Sequence, residues 1–160
     1  MTLTIVEADL NRPDHRQAVS DLTNAYAADP MGNGRPLPDD VRAALIPGLR
    51  AQPTLLIFLA YAGADPVGIA TCFRGFSTFA ARPLINIHDL AVLPSHRGQG
   101  IGRRLLETVE ARARATGCCK VTLEVQEGNR RARRIYEAAG FAQTVYADGA
   151  GGALFFSKRL

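Results

Sequence analysis

The sequence predicts an α/β fold in which one mixed sheet of about seven strands carries helices on its faces. Short apolar runs alternate with longer segments whose apolar residues recur every three or four positions, and these are the patterns of strands and of amphipathic helices. Glycines and prolines separate the segments. The predicted order of elements is βααβββαβαββ, and a single sheet covered by helices would bury all of the apolar faces.

The first half of the chain predicts one strand, two helices and three further strands. Leu3–Glu7 is the first strand, and the helix over residues 13–28 begins with a proline, which is favoured in a first helical turn. Residues 29–38, DPMGNGRPLP, form a loop, and the helix over 39–50 follows with two aspartates at its positive end. Three apolar runs predict strands over 54–61, 67–76 and 84–92, the first two joined as a hairpin by AGADP.

The second half predicts two helices and three strands. The helix over residues 100–116 is followed by a glycine stop, and its inward residues are Ile101, Leu105, Leu106 and Val109. A strand over 120–126 and a helix over 129–139 come next, and Gly140 ends that helix. The predicted elements end with a hairpin of residues 141–146 and 153–158.

Length and composition bound the class of protein. The chain has 160 residues, 47% hydrophobic and 21% charged, which is ordinary for one globular domain over residues 1–160. No stretch approaches the roughly 20 apolar residues of a membrane span, and no signal peptide begins the chain, so we expect a cytoplasmic protein without membrane contact. Cys72, Cys118 and Cys119 lack metal spacing and are expected to be buried, reduced thiols, and no metal site is predicted.

A glycine-rich segment, SHRGQGIGRRLL at residues 95–106, precedes the third predicted helix. Gly98, Gly100 and Gly102 alternate there beside basic residues, and backbone amides at a helix start bind anions. The net charge of +4 admits either nucleic acid or a phosphorylated cofactor as the anion. The spacing matches neither G-x-G-x-x-G nor G-x-x-x-x-G-K-[ST], so both common phosphate loops are disfavoured.

Two motifs in sequence order carry a resemblance to a known family. INIHDLAVLPSHRGQGIGRRLL is an apolar strand, a short connection and [RQ]-x-x-G-x-[GA] at a helix start, with Arg97, Gly100 and Gly102 on the key positions. LEVQEGNRRARRIYEAAGF then supplies N-x-x-A-x-x-x-Y and a closing G-F. Together they resemble the GNAT family of N-acetyltransferases. The resemblance implies a mostly antiparallel sheet that splays open between its fourth and fifth strands.

The resemblance also implies acetyl-coenzyme A as the cofactor. The amides of the glycine segment would solvate its pyrophosphate, and Arg97 and Arg103 would add charge-assisted hydrogen bonds. The backbone of Leu90 and Val92 would pair with the pantetheine arm as an added strand. The implied cofactor contacts are Leu90, Ala91, Val92, Arg97, Gly98, Gln99, Gly100, Ile101, Gly102, Arg103, Asn129, Ala132, Arg133 and Tyr136.

The implied reaction is attack of a neutral amine on the acetyl thioester. It needs an oxyanion donor, a route for the amine proton and an acid for the leaving sulfur. By resemblance the donor is a backbone N–H near residues 90–92, where the family's strand bulges. Tyr136 occupies the family's tyrosine position and would either protonate the thiolate or stabilise the sulfur through a hydrogen bond. The candidate bases are His88, Asp89 and Glu124, with a water chain as the alternative. Strand alternation puts His88 and Asp89 on opposite faces unless a bulge intervenes.

The acceptor amine is expected where the first helices and their loop fold over the splayed strands. The candidate acceptor contacts, by position only, are Asp29, Met31, Asn33, Arg35 and Phe76. The loop over 29–38 is either a lid or a plain connector. FSTFAARP followed by HDLAV also resembles the branch that contains diamine acetyltransferases, but His88 replaces that branch's glutamate, which weakens a polyamine assignment.

Three functional hypotheses follow. The favoured one is an N-acetyltransferase acting on a small amine or a peptide amino group. The second is a module that binds or senses acyl-coenzyme A without turnover. The third is a basic nucleic-acid-binding domain, which rests on the four arginines between residues 130 and 134; no aromatic residues interleave with them, and a solvated helix face explains them equally well. The resemblance also implies a homodimer, which the C-terminal GALFFSKRL would support.

Overall fold

The computed structural model describes residues 2–160, and the chain divides into two compact units, Met1–Leu123 and Glu124–Leu160. The second unit contains one helix, α4 (Arg130–Ala138). The first unit contains, in chain order, β1 (Leu3–Glu7), α1 (Pro13–Ala28), α2 (Asp39–Arg50), β2 (Leu55–Ala62), β3 (Asp65–Ser77), β4 (Arg82–Val92), a 3₁₀ turn (Pro94–His96), α3 (Ile101–Ala115) and β5 (Val121–Leu123).

The five strands form one mixed sheet in the order β1-β2-β3-β4-β5. The first four strands pair antiparallel with their neighbours, while β5 pairs in parallel with β4. A parallel pair needs a crossover connection, and α3 supplies it. The predicted mixed and mostly antiparallel sheet is therefore confirmed, but the expected number of seven strands is wrong.

The two missing strands are the predicted C-terminal hairpin. In the described chain, residues 141–160 contain neither helix nor strand, and a hydrogen bond from Ala153 N–H to Thr144 O, 2.8 Å long, joins the two stretches. Two strands without further neighbours are marginally stable in water. The side chains of Leu154, Phe155 and Phe156 are exposed rather than packed. The predicted strand over 120–126 is also shorter and ends at Leu123.

One face of the sheet packs against α1. The helix begins at Pro13, as predicted, and its apolar residues three and four apart form one buried stripe. The side chains of α2 at Ile46 and Leu49 lie at the margin of the same cluster. The buried cluster on this face consists of Ala18, Val19, Leu22, Ile57, Leu59 and Ile69. We call this face the α1 side of the sheet.

The opposite face packs against α3. The four residues predicted to face inward on this helix are all buried. At Gly68 of β3, an added Cβ would lie 3.2 Å from Leu105 Cδ1 and 3.3 Å from Ile101 Cγ2, so the helix approaches the strand closely. The expectation of helices on both faces is therefore confirmed.

Two smaller expectations concern cysteines and membranes. All three cysteines are free thiols; Cys72 is buried, whereas Cys118 and Cys119 are half-buried. Among residues 2–160, no helix combines the length and the apolar character needed to cross a bilayer.

The packing against α1 predicts a large cost for truncating Leu59, which is 0% exposed. Leu59→Ala should lower the free energy of unfolding by about 2–5 kcal/mol, because it removes buried methyl groups and leaves a cavity. Val41→Ala on α2, where the side chain is 44% exposed, is the control, with an expected change below about 0.5 kcal/mol. Urea titration followed by circular dichroism measures both, and equal losses would contradict the assigned core.

Candidate functional site

The glycine segment forms a tight turn that leads into α3. Gly98 and Gly100 have φ angles of 77° and 78°, in the left-handed region, and Gly100 is the N-cap of the helix. An added Cβ at either position would meet nothing within 4 Å. Backbone conformation rather than space therefore requires glycine at these two positions.

The first backbone amides of α3 follow directly from this turn. Arg104 N–H donates to Gly100 O at 3.0 Å, the first hydrogen bond within the helix. The amides of residues 101–103 consequently have no intrahelical acceptor. They lie at the positive end of the helix dipole, which favours an anion. These amides are groups that could bind an anion, and the Gly98–Gly102 anion site stays a prediction.

The end of β4 offers a second set of backbone groups. Leu93 N–H donates to Val67 O at 2.9 Å on the β3 side, so by alternation the N–H and C=O groups of Leu90 and Val92 face the other way. On that side β5 pairs only with residues 85–87. Within the described chain, the edge over residues 88–92 therefore has no neighbouring strand. Ala91 instead pairs with Ile69 and packs at the margin of the α1-side cluster.

A β-bulge separates the paired and unpaired parts of β4. Thr71 is opposite Asp89 but Cys72 is opposite Ile87, so His88 is the extra residue. The expected bulge near residues 90–92 is thus misplaced, because the register shift comes at His88. A bulge disrupts the ladder locally and re-aims side chains, and here pairing with β5 ends immediately before it.

The bulge brings His88 and Asp89 to the same side of the sheet. Asp89 is opposite Thr71, which is itself opposite Ile57 of the α1-side cluster. The His88 ring meets the Phe73 ring edge-on with centroids 5.6 Å apart, and Phe73 is opposite Leu55 on the same side. Simple alternation would have separated the two polar side chains, so the bulge makes them neighbours.

Asp89 is close enough to His88, Cys72 and Tyr26 for its charge to interact with theirs. Burial raises the pKa of the Asp89 carboxyl, and the charge of His88 partly opposes this rise. Burial, with the nearby Asp89 charge, raises the pKa of Cys72 to about 12, so this thiol stays protonated. Burial and the charges of Asp89 and then Asp29 likewise raise the pKa of the Tyr26 hydroxyl.

Tyr26 was not predicted as a site residue. It lies in the last turn of α1, three residues before Asp29. Residues three apart share one face of a helix, and this spacing was the available sequence signal. The sequence alone does not show that β4 lies near this turn, so it could not predict that Tyr26 is close to Asp89.

The two arginines expected at the pyrophosphate have carboxylate partners in the structure. Arg97 Nη2 lies 2.5 Å from Asp29 Oδ2, and Arg97 Nε donates to Val92 O at 2.9 Å. Arg103 Nε donates to Glu107 Oε1 at 2.8 Å, one helical turn on, and both side chains are exposed. Arg103 is therefore free to change partners at little cost, whereas Arg97 is held at two points.

The loop over residues 29–35 is compact. Ala27 O accepts hydrogen bonds from Asn33 N–H at 3.0 Å and from Arg35 N–H at 3.2 Å. The candidate acceptor residues Asn33, Arg35 and Phe76 are exposed, and Met31 is half-buried. Phe76 lies within β3, as predicted.

The second unit holds the remaining candidate residues. Asn129 caps α4, because its Oδ1 accepts a hydrogen bond from Ala132 N–H at 3.2 Å. Arg133 Nη1 donates to Glu127 O at 3.2 Å. Tyr136 is the buried residue of the helix, and its ring lies 6.1 Å from the ring of Phe141. Glu124 is exposed and follows β5, so its expected place on a strand is wrong.

Known proteins resemble the chain in both sequence and fold. The thialysine N-epsilon-acetyltransferase of Bos taurus is 35% identical over 83 residues, which are 52% of this chain and 48% of the relative. The chain spans about half the length of the thialysine N-epsilon-acetyltransferases that it matches.

Solved structures match nearly the whole chain. An aminoglycoside acetyltransferase, meta-AAC0020, from an uncultured soil metagenomic sample has a TM-score of 0.77 at 21% identity, over 99% of this chain and 96% of that one. Aminoglycoside N-acetyltransferase AAC(6')-Iy, solved in complex with coenzyme A, has a TM-score of 0.74 at 20% identity, over 99% and 96% of the two chains. At this identity the likeness establishes the fold alone.

The family assignment rests on the sequence. Residues 19–141, which include the glycine turn at the start of α3 and the capped helix α4, match the model of the acetyltransferase (GNAT) family. The chain belongs to this family.

Proposed function

We propose that the protein is an acetyl-coenzyme A-dependent N-acetyltransferase that acts on a primary amine of a small molecule or peptide. One observation carries the proposal: the amide-lined turn at Gly98–Gly102 lies at the start of α3, directly after a strand whose edge at Leu90 and Val92 has no neighbour in the described chain. A phosphate-bearing ligand with an amide-containing arm matches both features. The relatives described above are N-acetyltransferases, which supports N-acetylation.

The backbone groups present fit coenzyme A. The turn would hold the pyrophosphate through its amides, since φ angles near 78° at glycine let these groups converge on an anion. Leu90 and Val92 would pair with the pantetheine amides as an added strand. Arg103 would supply a mobile positive charge after leaving its exposed partner Glu107. Asn129, Ala132 and Arg133 stay proposed contacts from the family motif.

Acetyl-coenzyme A would supply an acetyl thioester that the amine attacks, with coenzyme A leaving as the thiolate. Asp89 and His88 would take up the amine proton, since they are neighbours on the α1 side and burial raises the pKa of Asp89. A backbone N–H at the open β4 edge would donate to the carbonyl oxygen. Tyr136 would donate a proton or hydrogen bond to the sulfur.

The acceptor would lie on the α1 side, near the loop over residues 29–35. Tyr26 and Asp89 lie close enough there for the charge of Asp89 to act on the hydroxyl. Met31, Asn33, Arg35 and Phe76 are the proposed acceptor contacts. The carboxyl of Asp89 on this side would favour a cationic amine.

Acceptor-dependent release of free thiol tests the function. Purified protein with acetyl-coenzyme A should release thiol when lysine analogues or aminoglycosides are added, and not without an amine. Tyr136→Phe should lower kcat by about 100-fold or more, as expected for loss of a general acid, while the Kd for coenzyme A stays constant. An active Tyr136→Phe variant would remove the acid role, and silence across a broad amine panel would count against the enzyme and for a binding module.

Backbone strain at Gly100 offers a test of the coenzyme site. Gly100→Ala should cost roughly 1–2 kcal/mol of conformational strain, because alanine resists left-handed backbone. The strain should shift the turn and weaken coenzyme A binding about tenfold, measured by calorimetry. Gly117→Ala is the matched control, since Gly117 has a φ of 73° after the other end of α3. Equal losses of affinity in both variants would contradict the assigned site.

Asp89 is predicted to lower the stability of the folded protein at neutral pH while contributing to its activity. Because burial raises its pKa in the folded state, ionisation costs stability as the pH rises above the ordinary value of 3.8. Asp89→Asn should therefore raise the urea midpoint at pH 7, lose that advantage near pH 3 and lower kcat/KM. Asp65→Asn, at an exposed aspartate, is the control. A less stable Asp89→Asn protein at pH 7 would refute the burial argument.

A further inference from the structure

Arg97 and Asp29 join two loops that are 68 residues apart in sequence. Arg97 opens the glycine turn, and Asp29 opens the loop over residues 29–35. Their side chains meet at 2.5 Å and are 26% and 9% exposed, respectively. The ion pair is thus more shielded from water than any other in the described chain that joins distant segments, such as Arg42 with Asp21 at 39% and 51%.

The Arg97 guanidinium has hydrogen-bond partners on two segments, β4 and the loop over residues 29–35. Its Nε donates to Val92 O at 2.9 Å, at the end of the open β4 edge, while Nη2 reaches the carboxylate. One guanidinium therefore links the strand end, the glycine turn and the 29–35 loop. A lysine ammonium is a point donor and lacks the fixed fork needed to hold both partners in this geometry.

Asp29 in turn organises its own loop. Its Oδ1 accepts from Met31 N–H at 2.8 Å, and its backbone oxygen accepts from Gly32 N–H at 2.8 Å and from Gly34 N–H at 3.1 Å. An added Cβ at Gly32 would lie 2.0 Å from Tyr26 O, so the loop is pressed against the end of α1. A shift of the Asp29 carboxylate would therefore move the whole loop.

We propose that the Arg97–Asp29 ion pair couples the coenzyme turn to the acceptor loop, and that Asp29 is a positioning residue rather than an acceptor ligand. Both carboxylate oxygens already have partners, Met31 N–H and Arg97. Arg97 is part of the segment that the coenzyme pyrophosphate would order. This inference rests on the proposed function, because it takes residues 98–102 as the coenzyme site.

When the glycine turn moves, Asp29 is expected to move with Arg97 rather than to separate from it. A shielded carboxylate that loses its cation is strongly disfavoured, so Asp29 follows Arg97 when the turn becomes ordered. Coupling of two binding sites is reciprocal. Coenzyme A should therefore raise the affinity for the amine by the same factor as the amine raises the affinity for coenzyme A.

Hydrogen exchange of backbone amides tests the coupling without requiring catalysis. Saturating coenzyme A should slow exchange at residues 98–102 and also, at least about fivefold, at residues 31–34, the lower end of typical couplings. Asp29→Asn keeps an oxygen for Met31 N–H but places an amide against the guanidinium. It should keep the protection at 98–102 and lose it at 31–34. Asp21→Asn, which removes the 2.5 Å pair with Arg42, is the matched control and should retain both.

Each outcome separates the coupling from the proposed function. Protection at 98–102 without protection at 31–34 in the natural protein, or unchanged protection in Asp29→Asn, would overturn the coupling alone. No protection at 98–102 would overturn the coenzyme site and the coupling with it. If Asp29→Asn does not fold, Arg97→Lys replaces it with the same expected loss at 31–34. In steady state either variant should raise the KM for the amine more than it lowers kcat.

Discussion

The bulge at His88 is the constraint on which the candidate site depends. One extra residue in β4 shifts its register against β3, and pairing with β5 ends at the preceding residue. Beyond it the strand keeps β3 on one edge, while in the described chain no strand pairs with Leu90 and Val92 on the other. The same residue lets His88 and Asp89 share the α1 side. An open edge and a polar pair thus arise from one irregularity in the ladder.

The residues around the bulge include a group that lowers the stability of the fold. The α1-side cluster and α3 bury the two faces of the sheet mainly with apolar residues, whereas Asp89 is a carboxyl whose burial raises its pKa. Such a group is retained against a cost in folding free energy, a common property of functional sites. Arg97 and Asp29 behave differently, since each satisfies the other's charge. We propose that this pair positions loops and takes no part in the chemistry.

Local sequence patterns predicted most of the helices, strands and turns, but they did not predict contacts between residues far apart in the sequence. The 3.6-residue periodicity of Ile101, Leu105, Leu106 and Val109 gave α3 and its buried side, and glycine spacing gave the turn, because both follow from neighbouring residues. The bulge depends on how β4 aligns with β3, which alternation in β4 alone does not contain. The Arg97–Asp29 pair spans 68 residues. The final hairpin was wrongly predicted, because short apolar runs do not by themselves specify a stable pair of strands.

The central claim is that the glycine turn and the open β4 edge together bind coenzyme A. Titration of ¹⁵N-labelled protein with coenzyme A, followed by amide chemical shifts, tests it most directly. The account predicts that the largest shifts fall on residues 98–102 and on Leu90 and Val92, with Leu93, whose N–H is paired to Val67, changing less. Shifts confined to the arginines of α4, or the absence of saturable shifts at the turn, would contradict it.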